Sequence, residues 1–72
     1  MDTVYISETI NSSEMVVFST KEKALIEFMK EYITTAKAND YDIREIGVDL
    51  IQLLEEDYIE DYGSITEASF YD

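Results

Sequence analysis

Residues 14–38 read EMVVFSTKEKALIEFMKEYITTAKA, and this stretch decides the fold. Met15-Val16-Val17-Phe18 is a β-branched and aromatic run without a polar break, the pattern of a buried strand. Ser19-Thr20-Lys21-Glu22 then has the spacing of a capping box. The Ser19 hydroxyl would accept from the Glu22 backbone N–H, and the Glu22 carboxylate would reach back to the Ser19 N–H. In the following segment Ala24, Leu25, Phe28, Met29, Tyr32, Ile33 and Ala36 fall on one helical stripe, which predicts a helix over 20–37 with one face packed. Glu22 near its start and Lys30 and Lys37 toward its end suit the helix dipole.

Upstream, Val4, Ile6 and Ile10 alternate with Tyr5, Ser7 and Thr9 over residues 3–10, a half-buried strand. The polar turn Asn11-Ser12-Ser13 joins it to the run at 14–19, so the two strands read as an antiparallel hairpin. A hairpin covered by one helix leaves a strand edge open.

Downstream, Ala38-Asn39-Asp40 ends the first helix, with Asn39 suited to a left-handed cap. Asp42-Ile43-Arg44-Glu45 repeats the cap spacing. Ile43, Ile46, Leu50, Ile51, Leu54 and Tyr58 then form a second helical stripe, and Leu50 to Asp57 is rich in helix formers. Gly47 is its flaw, costing about 1 kcal/mol inside a helix. A strand over Tyr41 to Val48 with a shorter helix behind it is the rival reading; the long helix is preferred. Tyr62-Gly63-Ser64 reads as a turn, and Ser64 to Tyr71 offers a third strand. The expected fold is α+β: an antiparallel hairpin, with a third strand near the C-terminus, packed against two helices in ββααβ order. Residues 1–72 read as one small acidic domain with a thin core.

Composition limits function. With no Cys, no disulfide or thiolate metal site supplements the core. No apolar run is long enough for a membrane span, and MDTVYIS lacks the basic start and apolar stretch of a signal peptide. A cytoplasmic protein is expected. His is absent, and the two glycines form no phosphate-binding loop. The chain is also too small to shape and dry an obvious pocket around a carboxylate pair. A non-enzymatic role is therefore expected, with no cofactor, metal or catalytic residue. The acidic run 55–61 suggests calcium, but a calcium loop over 58–69 fails as well. With Gly63 at the loop's glycine position, the first, third, fifth and twelfth positions are Tyr58, Glu60, Tyr62 and Ser69, of which only one is acidic.

The formal charge of −12 comes from 17 acidic and 5 basic residues. It opposes direct binding to nucleic acid and to anionic membranes. It is also uneven. Residues 1–39 carry six acids against four lysines, whereas residues 40–72 carry eleven acids against Arg44 alone. On the second helix Glu45, Asp49, Glu56 and Glu60 follow one polar stripe that Gln52 completes, with Asp57 and Asp61 flanking it. Such neighbours repel each other, and they crowd the negative end of the helix dipole. Tyr41, Tyr58, Tyr62 and Tyr71 interleave with them, and Tyr is favoured at interfaces. Glu45, Asp49, Glu56, Asp57, Tyr58, Glu60, Asp61 and Tyr62 are thus the candidate partner-binding residues. A basic, nucleic-acid-handling protein is the expected partner, and nucleic-acid mimicry the expected mode. The alternative is a self-associating structural or regulatory module, such as a homodimer, whose acidity serves only solubility.

Val4-Tyr5-Ile6-Ser7 followed by Val16-Val17-Phe18-Ser19-Thr20-Lys21-Glu22-Lys23-Ala24 resembles a family of small, mostly uncharacterised bacterial and phage proteins that open with a strand, a hairpin and a capped helix. The likeness covers residues 4–34 and carries over no functional residue. The acidic second half departs from that pattern. In size and charge the chain is also similar to phage-encoded inhibitors of host defence nucleases, which implies an anti-defence role in a bacterial host cell.

Overall fold

The computed structural model describes residues 2–11 and 15–70. The fold is α+β, an antiparallel sheet with two helices. The order of elements is β1 (Asp2–Thr9), β2 (Val16–Phe18), α1 (Lys21–Ala38), α2 (Ile43–Glu56), β3 (Tyr58–Ile59) and β4 (Gly63–Phe70). The sheet has four strands in the order β2-β1-β4-β3. The hairpin pairing is as expected, with Ile6 opposite Val17. β4 then pairs along the whole of β1, from Asp2↔Phe70 to Thr9↔Gly63. The strand expected at the C-terminal end is therefore central, and β3 is an additional edge strand. The turn residues Ser12 and Ser13, and Tyr71, lie outside the described residues.

The first helix forms where its sequence predicts, with its cap displaced by one residue. Thr20 is the N-cap; its backbone is extended and its hydroxyl accepts from the Lys23 N–H at 3.3 Å. Ser19 and Glu22 thus do not form the expected box. At the other end Asn39 is the C-cap with φ −101°, and Asp40 takes the left-handed conformation at φ 58°. Ala24, Phe28, Tyr32 and Ala36 are the buried residues of α1, one row spaced by a turn. Leu25, Met29 and Ile33 pack beside them, partly buried. The two alanines let the helix ends approach the sheet, while the aromatic pair fills the centre.

The helix-covered sheet face is not the aliphatic one. Ser7 and Ile65 are opposite one another and buried, and Tyr5 and Phe18 pack on the core. Alternation therefore turns Val4 and Ile6 to the other face, where Ile6 meets Val17 and Thr66. Ser7 lines a cleft with Phe18 and Phe28, so a small residue stands where α1 projects a large one. β2 is an exposed edge rather than a buried strand: Val16 is 46% exposed and Val17 56%. Of the residues expected in the core, Phe28 is fully buried; Phe18, Leu25, Met29 and Leu50 are partly buried.

α2 forms over the segment for which strand was the rival reading. Asp42 caps it, its carboxylate accepting from the Arg44 N–H at 3.0 Å. The helix stops at Asp57, which is left-handed at φ 61° and donates its N–H to the Leu53 carbonyl. Tyr58 is therefore a strand residue. The face turned inward is centred on Leu53, fully buried, with Ile46 and Leu50 partly buried. Ile43, Ile51 and Leu54, expected on the packed stripe, are exposed.

Leu53 meets Ile59, Ile65 and the α1 row in one core. Tyr62 completes it. Its ring lies edge-on to Phe28, with centroids 5.4 Å apart, and to Tyr32, at 5.2 Å. Such aromatic pairs contribute about 0.5–1.5 kcal/mol each beyond area burial.

Candidate functional site

Chain reversal after α2 creates the site. Asp57 breaks the helix, β3 follows, and the Tyr62 N–H bonds the Ile59 carbonyl at 3.0 Å to close a turn. Asp61, at φ 62°, occupies the left-handed position of that turn, which Asp tolerates better than most residues. The turn then folds back along α2. Gln52 anchors it, its side-chain oxygen accepting the Glu60 N–H at 3.0 Å.

The result is a cleft of about 450 Å³ between α2 and the turn. Glu45 and Asp49 line it from the helix, Glu60 and Asp61 from the turn, with Tyr41 and Arg44 at its N-terminal end. A second hollow of about 220 Å³ adjoins it and shares Tyr41, Asp49, Glu60 and Asp61. It ends on Tyr32, whose hydroxyl donates to the Asp49 carboxylate. Burial first, and then the hydrogen bond to Asp49 and its charge, raise the Tyr32 phenol above its ordinary pKa.

The structure divides the eight candidate residues. Glu45, Asp49, Glu60 and Asp61 converge on the cleft. Glu56 does not line it and accepts from the Gln52 amide at 3.5 Å. Asp57 is drawn to α1, with a carboxylate oxygen 3.0 Å from the Lys21 Nζ. That lysine compensates the acidic end of α2, so the helix dipole is less opposed than the local sequence indicates. Tyr58 alternates with the buried Ile59 and so stands on the opposite sheet face, where the Glu56 charge raises its phenol pKa. Tyr62 is buried in the core and lines only the adjoining hollow, not the cleft.

Three cleft residues, Tyr41, Arg44 and Val48, are not among the eight. Tyr41 and Arg44 flank the Asp42 cap, which is the sequence signal that places them at the cleft's N-terminal end. Among the described residues no three carboxylates are arranged to hold a metal ion, and no helix is long and apolar enough to cross a membrane. What the cleft offers chemically is a set of fixed anionic acceptors beside an exposed phenol ring. That combination suits a guanidinium or ammonium side chain, by charge and by stacking on Tyr41. No family model, curated protein or solved structure matches the chain.

Proposed function

We propose that this chain is a non-enzymatic acidic binding protein that occupies the basic, nucleic-acid-contacting surface of a protein partner. The observation that carries the reading is the convergence of Glu45, Asp49, Glu60 and Asp61 on one cleft. Anions held at helical spacing present a partner with repeated negative charge, as a nucleic-acid backbone does. Lys or Arg side chains of the partner enter the cleft and its rim. The field also speeds encounter with a basic groove. An inhibitor of a host defence nuclease, acting in a bacterial cell, is the role this chemistry serves best. Compositional likeness to such phage-encoded inhibitors supports it.

The test is capture from a bacterial lysate on immobilised protein, comparing the native chain with Glu45→Lys/Glu60→Lys. Both side chains are exposed, so the double variant keeps its fold. The expected result is retention of nucleic-acid-binding proteins by the native chain alone. Duplex DNA should displace them, and added salt should release them. Equal capture by the double variant, or capture indifferent to DNA, would overturn the reading.

A further inference from the structure

α2 carries a second surface, on its outward side. Leu53 is its only fully buried residue among those described, yet Ile43 is 82% exposed, Val48 66%, Leu54 59% and Ile51 56%. Ile43, Gly47 and Ile51 are spaced by one turn each, and Val48 and Leu54 flank that row. Gly47 has no role within the chain that requires glycine. A methyl group built on it meets nothing within 4 Å, and its φ is not positive. A residue that weakens the helix while leaving open space above an apolar row allows a second backbone to come close.

The charges on this face identify what covers it. Arg44 and Glu55 lie three turns apart and therefore on the same side of the helix. Arg44 is the only cation of residues 40–72, and it forms no ion pair with any described residue. Its opposite in sign sits at the other end of the same face. An antiparallel copy of α2, related by a two-fold axis near the helix midpoint, puts each Arg44 against the other copy's Glu55. The same axis sets Ile51 level with Val48 of the other copy and, one residue off level, beside its Gly47. A face that complements itself in charge and shape under two-fold rotation is the mark of an isologous contact.

We infer that the outward face of α2 is a homodimer interface, paired antiparallel across Gly47 with reciprocal Arg44–Glu55 contacts. Glu45 and Asp49 lie on the other flank of the helix, whereas Arg44 and Val48 also line one edge of the cleft, so the dimer narrows that edge and leaves the carboxylates on the open side. A helix of 14 residues is about 21 Å long, too short to supply alone the roughly 800 Å² per partner of a standard interface. The dimer is accordingly concentration-dependent. Two chains of charge −12 also repel, so added salt strengthens the dimer, whereas it weakens any contact made through the acidic cleft. The inference does not depend on the proposed function, and the two respond to salt with opposite sign.

Sedimentation equilibrium from micromolar to millimolar concentration, at low and high salt, tests it. A monomer–dimer equilibrium that tightens severalfold with salt is expected. Ile51→Glu should weaken it at least about tenfold while leaving the circular dichroism of the dilute protein unchanged. Arg44→Glu and Glu55→Arg should each weaken it, and the double swap should restore it toward the native value. A chain that remains monomeric to millimolar concentration would overturn the inference. So would assembly beyond a dimer, or a double swap that binds no better than either single change.

Discussion

Lys21, the first residue of α1, holds the carboxylate of Asp57, the residue that ends α2, at 3.0 Å. The contact joins the start of one helix to the end of the other across 36 positions of sequence. The Asp57 carboxylate holds the Lys21 ammonium above its ordinary pKa. Both side chains are substantially exposed, so the pair is screened and its worth small. Lys21→Glu should lower the melting temperature at low salt. In molar salt the difference from the native chain should largely vanish.

The two glycines should respond to alanine in opposite directions. Gly47→Ala adds a methyl group into open space within a helix and should stabilise the dilute monomer by about 1 kcal/mol. Gly63→Ala would place its Cβ 2.2 Å from the Glu8 carbonyl oxygen, which is backbone in the central strand pair. That variant should lose the β1–β4 register or fail to fold. Urea denaturation of the two proteins measures both effects.

Phe28 is the centre of the core, 1% exposed and in edge contact with Tyr62. Phe28→Ala should cost about 3–5 kcal/mol, a large part of what a chain this short possesses. An unchanged urea midpoint would refute its placement.

Alkaline pH should unfold the protein through Tyr32 and Tyr62. Burial raises both phenols, helped by the Asp49 charge at Tyr32 and the Glu31 charge at Tyr62. Their folded pKa values lie above the unfolded value of about 10, so the unfolded chain releases these protons first. Stability is therefore intact below about pH 10 and falls as pH climbs toward the folded values. Tyr32→Phe should make this fall shallower, as melting temperatures from about pH 8 to about pH 11 would show.

Acidification should act in the opposite sense. A chain of charge −12 repels itself, and protonating some of its carboxylates relieves that repulsion. Melting temperature should rise as pH falls from neutral to about pH 5. A steady decline over that interval would show that specific carboxylate contacts outweigh the general repulsion.

α1 was legible in the sequence because everything that defines it acts within a few residues: a cap, a row spaced by one turn, a polar remainder. The facing of β1 was not. Tyr5, Ser7 and Thr9 compete with Val4 and Ile6 for the inward side, and α1 settles the contest by needing a small residue beneath Phe28. α2 was legible as a helix but not in orientation. Its apolar residues occupy more than half its circumference, so periodicity alone does not choose Leu53 over Leu50 or Leu54. β3, two residues long, is too short for any pattern to reveal.

The acidic row was legible from spacing along α2, and the cleft was not. By spacing alone Glu60 continues the helical stripe. It instead returns to α2 by a chain reversal, tied through its N–H to Gln52. Asp57 left the group because its carboxylate found Lys21 in a distant segment, and no local rule reports such a partner.

The ladder between β1 and β4 also governs the order in which the fold is acquired. Its pairs join residues such as Asp2 and Phe70, while each helix closes bonds between near neighbours. Helical turns form within about a microsecond, whereas a ladder that must first close a loop of most of the chain is slow. During synthesis, α1 is complete before a single residue of β4, the long partner of β1, exists. Until Tyr62 and its successors emerge, Phe28 and Tyr32 have neither Tyr62 nor Ile65 to pack against, and the first half of the chain waits with its core open.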